Sequence, residues 1–164
     1  MKKYVIGVDL GGTKITTAIS DLKGNIVEKT TLATGSHLGE EVVMERLFES
    51  ISMVLEAASI SKEEVRAIGI GSPGPLDAEK GIIITTPNLP FRNFNLVEPI
   101  ENKFGIKTYL DNDANAAAIG EYTFGAGKDA KHMIYITVST GVGGGAILNG
   151  RPYRGHTSNA LEVG

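Results

Sequence analysis

The chain has 164 residues, enough for one domain of roughly 150 residues with a real hydrophobic core. Apolar residues make up 41% and charged residues 21%, the balance of a soluble globular protein and not of a disordered chain. Sixteen basic residues against nineteen acidic ones leave a net charge of −3 with no basic run, which argues against a nucleic-acid partner. The absence of cysteine removes disulfides and thiolate metal sites within the chain and fits a reducing cytoplasm.

Tyr4 to Leu10 is predicted as a short strand stopped by Gly11-Gly12. Lys14 to Ser20 is a second strand, and a turn over Asp21 to Asn25 leads to a third that ends near Leu32. Short turns between the three make an antiparallel meander. A helix follows from Glu40 to Ala58, with Val43, Leu47, Ile51, Val54 and Ala58 at helical spacing. Ser61-Lys62-Glu63-Glu64 has the form of a capping box able to open one helical turn. Val65 to Ile70 is an apolar strand, followed by the loop Gly71-Ser72-Pro73-Gly74-Pro75. Ile82 to Thr86 is a further strand and Pro87 to Asn95 reads as irregular. Leu96 to Phe104 is helical, closed by Gly105 at C′. Lys107 to Leu110 is a strand, Asp113 to Phe124 an alanine-rich helix, and Met133–Val138 with Gly145–Leu148 the last strand pair.

Residues 132 to 150 carry no formal charge and approach the ~20 residues of a membrane span. Five glycines and the polar Thr137, Ser139, Thr140 and Asn149 make two strands around a turn the better reading, so no membrane segment is expected. A weak internal echo is also present. Ile6, Val8 and Gly11 recur as Ile136, Val138 and Gly141 at an offset of 130 residues, which predicts either ordinary glycine turns or a duplicated unit whose two turns face each other across a cleft.

Twenty-one glycines, about one residue in eight against a usual ~7%, cluster at a few sites. No Walker A motif exists. Gly69 to Gly74 and Gly141 to Ala146 imitate a dinucleotide fingerprint but lack the strand–turn–helix context it needs. In Asp9-Leu10-Gly11-Gly12-Thr13-Lys14, adjacent glycines let backbone N–H groups approach a phosphate. Thr13 adds a hydroxyl, Lys14 a charge, and Asp9 a hard oxygen for Mg²⁺. The same residues also suit a plain hairpin turn with a solvated lysine. Asp111-Asn112-Asp113 between strand and helix is similarly double: an N-cap, or a carboxylate base with an asparagine orienting a hydroxyl. His37, His132 and His156 are not spaced as a site.

In this order, Gly7-Val8-Asp9-Leu10-Gly11-Gly12-Thr13-Lys14, Gly69 to Asp77, Thr86-Pro87-Asn88-Leu89-Pro90, Asp111 to Ala118, Gly120-Glu121 and Thr140 to Gly145 resemble the N-terminal half of ROK-family sugar kinases. The resemblance covers the whole chain. It implies an α/β actin/hexokinase-like (ribonuclease H-like) fold with a mixed sheet over residues 1–118. The start of a second such unit would occupy 119–164. It further implies an ATP- and Mg²⁺-dependent kinase of a hexose, glucose first among them, with Asp113 as the catalytic base. Asn112 and Asn88 would hold sugar hydroxyls, and the Gly71 to Gly74 loop would shape the pocket. Asp9 would place Mg²⁺, while Gly11, Gly12, Thr13 and Lys14 would flank the phosphates from one side and Thr140, Gly141, Gly143 and Gly144 from the other. Glu162 would match the sugar-binding glutamate of a Glu-x-Gly-His element, although Ser158 and Leu161 replace two family glycines and the chain ends at Gly164 before the histidine. The family's cysteine-rich zinc segment has no counterpart here, so no zinc site is expected. An incomplete enzyme is the expectation for the isolated chain, with a sugar-binding fragment or a sugar-responsive regulator as alternatives. Only Met1-Lys2-Lys3 precede the first strand, where such regulators carry a helix-turn-helix. A homo-oligomer stays open, family members often being dimers or tetramers.

Overall fold

A computed structural model describes residues 1–138 and 142–155. Three strands open it: β1 (Tyr4–Leu10), β2 (Lys14–Asp21) and β3 (Ile26–Ala33) form the expected meander. Helix α1 (Glu40–Ala58) and, after a capping-box turn at Ser61–Glu64, strand β4 (Val65–Ser72) come next. Then follow β5 (Leu76–Asp77), β6 (Ile82–Thr85), β7 (Arg92–Asn95), α2 (Val97–Phe104), β8 (Thr108–Asn112) and α3 (Asp113–Phe124). The last elements among the described residues are β9 (His132–Val138), β10 (Val142–Leu148) and β11 (Arg151–Tyr153).

The principal sheet has the order β3-β2-β1-β4-β8, with β1, β4 and β8 mutually parallel and the meander antiparallel. Strand alternation sends Ile6, Val8, Leu10, Ile68, Ile70 and Leu110 to one face. There they join Leu47, Ile51 and Val54 of α1 and Ile100 and Phe104 of α2 in a single core. The Thr17 and Ser50 hydroxyls share a buried hydrogen bond of 2.8 Å, which satisfies both polar groups between β2 and α1. Gly7, Asp9, Gly69, Gly71, Tyr109 and Asp111 take the opposite face.

Helix α3 starts on that opposite face, wedged between two strands. A methyl group on Gly71 of β4 would lie 3.4 Å from the Ala116 Cβ, and one on Gly145 of β10 would lie 2.6 Å from the Ala118 Cβ. Gly145 and Ala118 are therefore one device that lets β10 approach the backbone of α3, whereas at Gly71 a methyl would only reach contact distance. The expected division after Ala118 falls inside this helix.

The second sheet, β11-β10-β9, repeats the order of the first meander, as the internal echo suggests. Ile6 and Val8 are buried, whereas their counterparts Ile136 and Val138 are 61% and 77% exposed. The facing turn expected at 139–141 lies outside the described residues. Three expectations need correction. Strand β10 begins at Val142 and not at Gly145, because its glycines pair regularly with β9 and pack under α3. The segment expected to be irregular contains β7, anchored by buried Phe91, which stacks on Phe94 at 4.6 Å. Strand β11 contains Pro152 and is tolerated because it is an edge strand.

Two outcomes are expected. Gly145→Val should lower stability by about 1–3 kcal/mol through overpacking, read as a reduced Tm or denaturation midpoint. Glu101 accepts the Thr108 amide at 2.8 Å and pairs with Lys107 at 2.9 Å, which hold its carboxyl below the ordinary 4.5. A depressed folded value stabilises above the unfolded pKa and is lost as pH falls through the folded one. Urea midpoints measured between pH 6 and pH 3 should therefore fall more steeply in wild type than in Glu101→Gln.

Candidate functional site

Parallel pairing brings the carboxyl ends of β1, β4 and β8 to one edge of the sheet, where open α/β sheets bind ligands. Asp9 is opposite Gly71, and Gly71 opposite Asp111, so the three share one row and one face. Two strand spacings, about 10 Å, separate the Asp9 and Asp111 backbones.

The turn after β1 is closed by the Gly11 amide donating to the Lys14 carbonyl at 3.0 Å. Its carbonyls are tied back one by one. The Thr34 hydroxyl donates to Gly11 O at 2.6 Å, the Ser36 hydroxyl to Gly12 O at 2.9 Å, and the Thr34 amide to Thr13 O at 2.9 Å. Among the described residues the Gly12 and Thr13 amides find no acceptor, so the turn presents donors with its acceptors already occupied. Such a nest suits an anion. Thr34 and Ser36 were not predicted from sequence, because hydroxyls that bind the backbone of a turn 23 and 24 residues away leave no local signal.

Gly12 also meets Asn88. A methyl group on Gly12 would sit 2.5 Å from the Asn88 Cβ and 2.7 Å from its carbonyl oxygen. Buried Thr86 and Leu89 flank exposed Asn88 and seat it there, and the Asn88 amide donates to the Thr86 hydroxyl at 3.4 Å. A cleft of about 560 Å³ lies at this junction, lined by Gly12, Thr13, Ser36, His37, Pro87 and Asn88. His37, which the histidine spacing does not mark as part of a site, is in that wall. A larger cleft of about 950 Å³ is lined by Gly69, Gly71, Tyr109, Asp111 and Arg154, but not by Asp9, Asn88 or Asp113.

The β8–α3 junction separates the two carboxylates that the sequence left undecided. Asn112 is the N-cap: its Oδ1 accepts the Ala114 and Asn115 amides at 2.9 and 3.3 Å. Its Nδ2 would lie 3.9 Å from a methyl group on Gly74, which turns this amide nitrogen toward the Gly71–Gly74 loop. Asp111 has both carboxylate oxygens engaged, by Arg154, by the Asn115 side chain and by the Asn112 amide. Asp113 is exposed and uses Oδ1 alone, on the Ala114 amide at 2.8 Å. Only Asp113 keeps an oxygen without a partner among the described residues.

Asp9 is exposed beside the turn, and Lys14 begins β2, also exposed. Among the described residues no three His, Cys, Asp or Glu side chains converge on a point. A single exposed carboxylate such as Asp9 is the kind of ligand that suits an ion arriving with phosphate oxygens and water, as Mg²⁺ commonly does. Gly143 and Gly144 are strand residues paired with Thr137 and Ile136, and a methyl on Gly143 would make ordinary contact with the Ala114 Cβ at 3.7 Å, so packing alone does not demand glycine there. Thr140, Gly141 and Glu162 lie outside the described residues. No helix among those described is long and apolar enough to cross a membrane.

Gly12→Ala should push the Pro87–Pro90 segment away from the turn. In ¹H–¹⁵N spectra the Asn88 and Leu89 amides should move while those of Leu47 and Ile51 in the core stay in place.

Known proteins resemble this chain in sequence and in fold. The chain is 38% identical over 164 residues to the glucokinase of Thermotoga maritima, covering 99% of the chain and 50% of that protein. It is 34% identical to the xylose repressor of Bacillus subtilis, covering 98% of the chain and 41% of that protein. The crystal structure of a ROK family glucokinase from Streptomyces griseus, in complex with glucose and AMPPNP, superposes with a TM-score of 0.86 at 35% identity, covering 97% of the chain and 49% of that one. The chain thus has the actin/hexokinase-like fold of these enzymes and spans about half the length of the curated relatives it matches. The ROK family signature matches residues 5–164, and the chain belongs to the ROK family.

Proposed function

We propose that this chain is the sugar-handling part of an ATP-dependent hexose kinase, with glucose as the first substrate to test and Asp113 as the base. Asp113 carries the assignment because, of the two carboxylates at the junction, it alone retains an oxygen without a partner among the described residues. A hexose hydroxyl placed against that oxygen would give up its proton to Asp113 as its own oxygen attacks the γ-phosphorus of ATP. The bond from that phosphorus to the bridging oxygen breaks, and ADP leaves.

Positioning and charge stabilisation supply most of the catalysis in phosphoryl transfer. The free Gly12 and Thr13 amides, the Thr13 hydroxyl and the Lys14 ammonium would face the phosphates, with Thr140, Gly141, Gly143 and Gly144 on the far side. Mg²⁺ would be held by Asp9 and would neutralise phosphate charge. Asn112 Nδ2 and Asn88 would donate to sugar hydroxyls within the Gly71–Gly74 loop, with Glu162 as a further sugar contact. The Gly12–Asn88 contact supports this arrangement, since it sets a sugar-side residue directly against the phosphate-side turn. The site would work in the cytoplasm, where ATP is at hand.

A sugar-binding regulator that transfers no phosphate is the second reading, favoured by the similarity to a xylose repressor. The two differ in turnover. ADP release should be measured with MgATP and glucose, fructose, mannose or an N-acetylated hexosamine. The chain would be assayed alone and fused to the C-terminal half of the Thermotoga maritima glucokinase. Glucose-dependent release from the fusion is expected, reduced about 10²–10⁴-fold by Asp113→Asn. Hexose binding without ADP release from either protein would favour the regulator.

A further inference from the structure

The Asp111–Arg154 pair stands apart from the groups assigned above. The Arg154 guanidinium donates through Nε at 3.1 Å and a terminal nitrogen at 2.6 Å, both to Asp111 Oδ2. Asp111 Oδ1 accepts from the Asn112 amide at 2.9 Å and from Asn115 Nδ2 at 3.2 Å. The Asp111 side chain is only 15% exposed, and Asn115 is buried at 6%. A charged, mostly buried carboxylate therefore has its four contacts divided between two parts of the fold. One oxygen faces the first turn of α3. The other faces an arginine that follows β11, a strand of the second sheet.

We infer that Arg154 is a positioning residue for the base: by clamping Asp111 it fixes the Asn112–Asp113 turn and couples the placement of the second sheet to the site. The chain of contacts is short. Arg154 holds Oδ2, and Oδ1 then has one orientation in which to receive both the Asn112 amide and the Asn115 side chain. Asn112, so held, caps α3 through Oδ1, which leaves Nδ2 aimed toward the Gly71–Gly74 loop and Asp113 at the first position of the helix. Charge-assisted hydrogen bonds of this kind are directional and about twice as strong as neutral ones. Removing the guanidinium leaves a mostly buried carboxylate without its counter-charge, which relaxes by turning toward solvent and releasing the Asn112 amide. Asp111 itself, with both oxygens occupied, does no proton transfer.

The catalytic arm of this inference rests on the kinase reading; the structural arm does not. On the chain itself, Arg154→Ala should shift the Asn112, Ala114 and Asn115 amide resonances and speed hydrogen exchange at Ala114 at least tenfold, with the Leu47 and Ile51 amides unmoved. Arg154→Lys, which keeps the charge, should leave those shifts near wild type. On the fusion with the Thermotoga maritima half, Arg154→Ala should lower kcat about tenfold with the hexose KM within twofold, and Arg154→Lys should recover kcat to within threefold. Unmoved junction amides in Arg154→Ala overturn the clamp. A rise in KM with kcat unchanged overturns the positioning role and makes Arg154 a sugar-binding residue instead. A wild-type fusion without turnover counts against the kinase reading alone, and the amide shifts still decide the clamp.

Discussion

Everything at the candidate site depends on the register of three parallel strands. Pairing Asp9 with Gly71 and Gly71 with Asp111 sets their carboxyl ends level, so the turns that follow β1, β4 and β8 open at one edge. A slip of one residue in any of these pairings would turn its acidic side chain into the apolar core. Burial of Ile6, Val8, Ile68, Ile70 and Leu110 on the other face forbids that slip. Core packing and site geometry are thus the same constraint seen from two sides. Gly71, in the middle of the row, lies beside the start of α3, where a methyl would come into ordinary contact with the Asp113 Cα at 3.5 Å.

The polar groups follow a consistent division of labour. Carbonyls of the first turn are occupied by Thr34 and Ser36, which leaves amides to the solvent. The Asn112 side chain spends its oxygen on the helix and leaves its nitrogen. Asp111 spends both oxygens on structure, and Asp113 spends one. What remains without a partner among the described residues is a set of donors on one flank and a carboxylate oxygen on the other, the pattern a phosphate and a hydroxyl would jointly satisfy. The N-cap and the functional readings of Asp111-Asn112-Asp113 are therefore not rivals, because Asn112 does the first with one atom and leaves another free.

Much of this was legible in the sequence, where local rules and tertiary demand agree. Helix α1 has a clean apolar spacing, and α3 and β1 coincide with their expected bounds. Strands β5, β7 and β11 were missed because they are two to four residues long and carry Asp77, Asn93 at φ 48° and Pro152, which local propensity assigns to turns. The start of β10 was placed at Gly145 instead of Val142 for a different reason: glycine carries little strand propensity, and the pairing of Gly143 and Gly144 with β9 is a tertiary fact. The candidates Asp9, Asn88, Asn112 and Asp113 come from a pattern of motifs in order. Thr34, Ser36 and Arg154 act on backbone or on a partner 43 residues away, and no local signal marks such contacts.

On the proposed reading, one sheet edge binds sugar and nucleotide side by side, with Asn88 and Gly12 at the seam. Amide chemical-shift mapping of the labelled chain, titrated first with glucose and then with AMPPNP and Mg²⁺, tests it most directly. Glucose should perturb Gly74, Asn88, Asn112 and Asp113, and the nucleotide should add Gly11, Gly12, Thr13 and Lys14. Perturbations confined to the cleft beside Gly69 and Tyr109, or none at the strand ends with either ligand, would contradict the account.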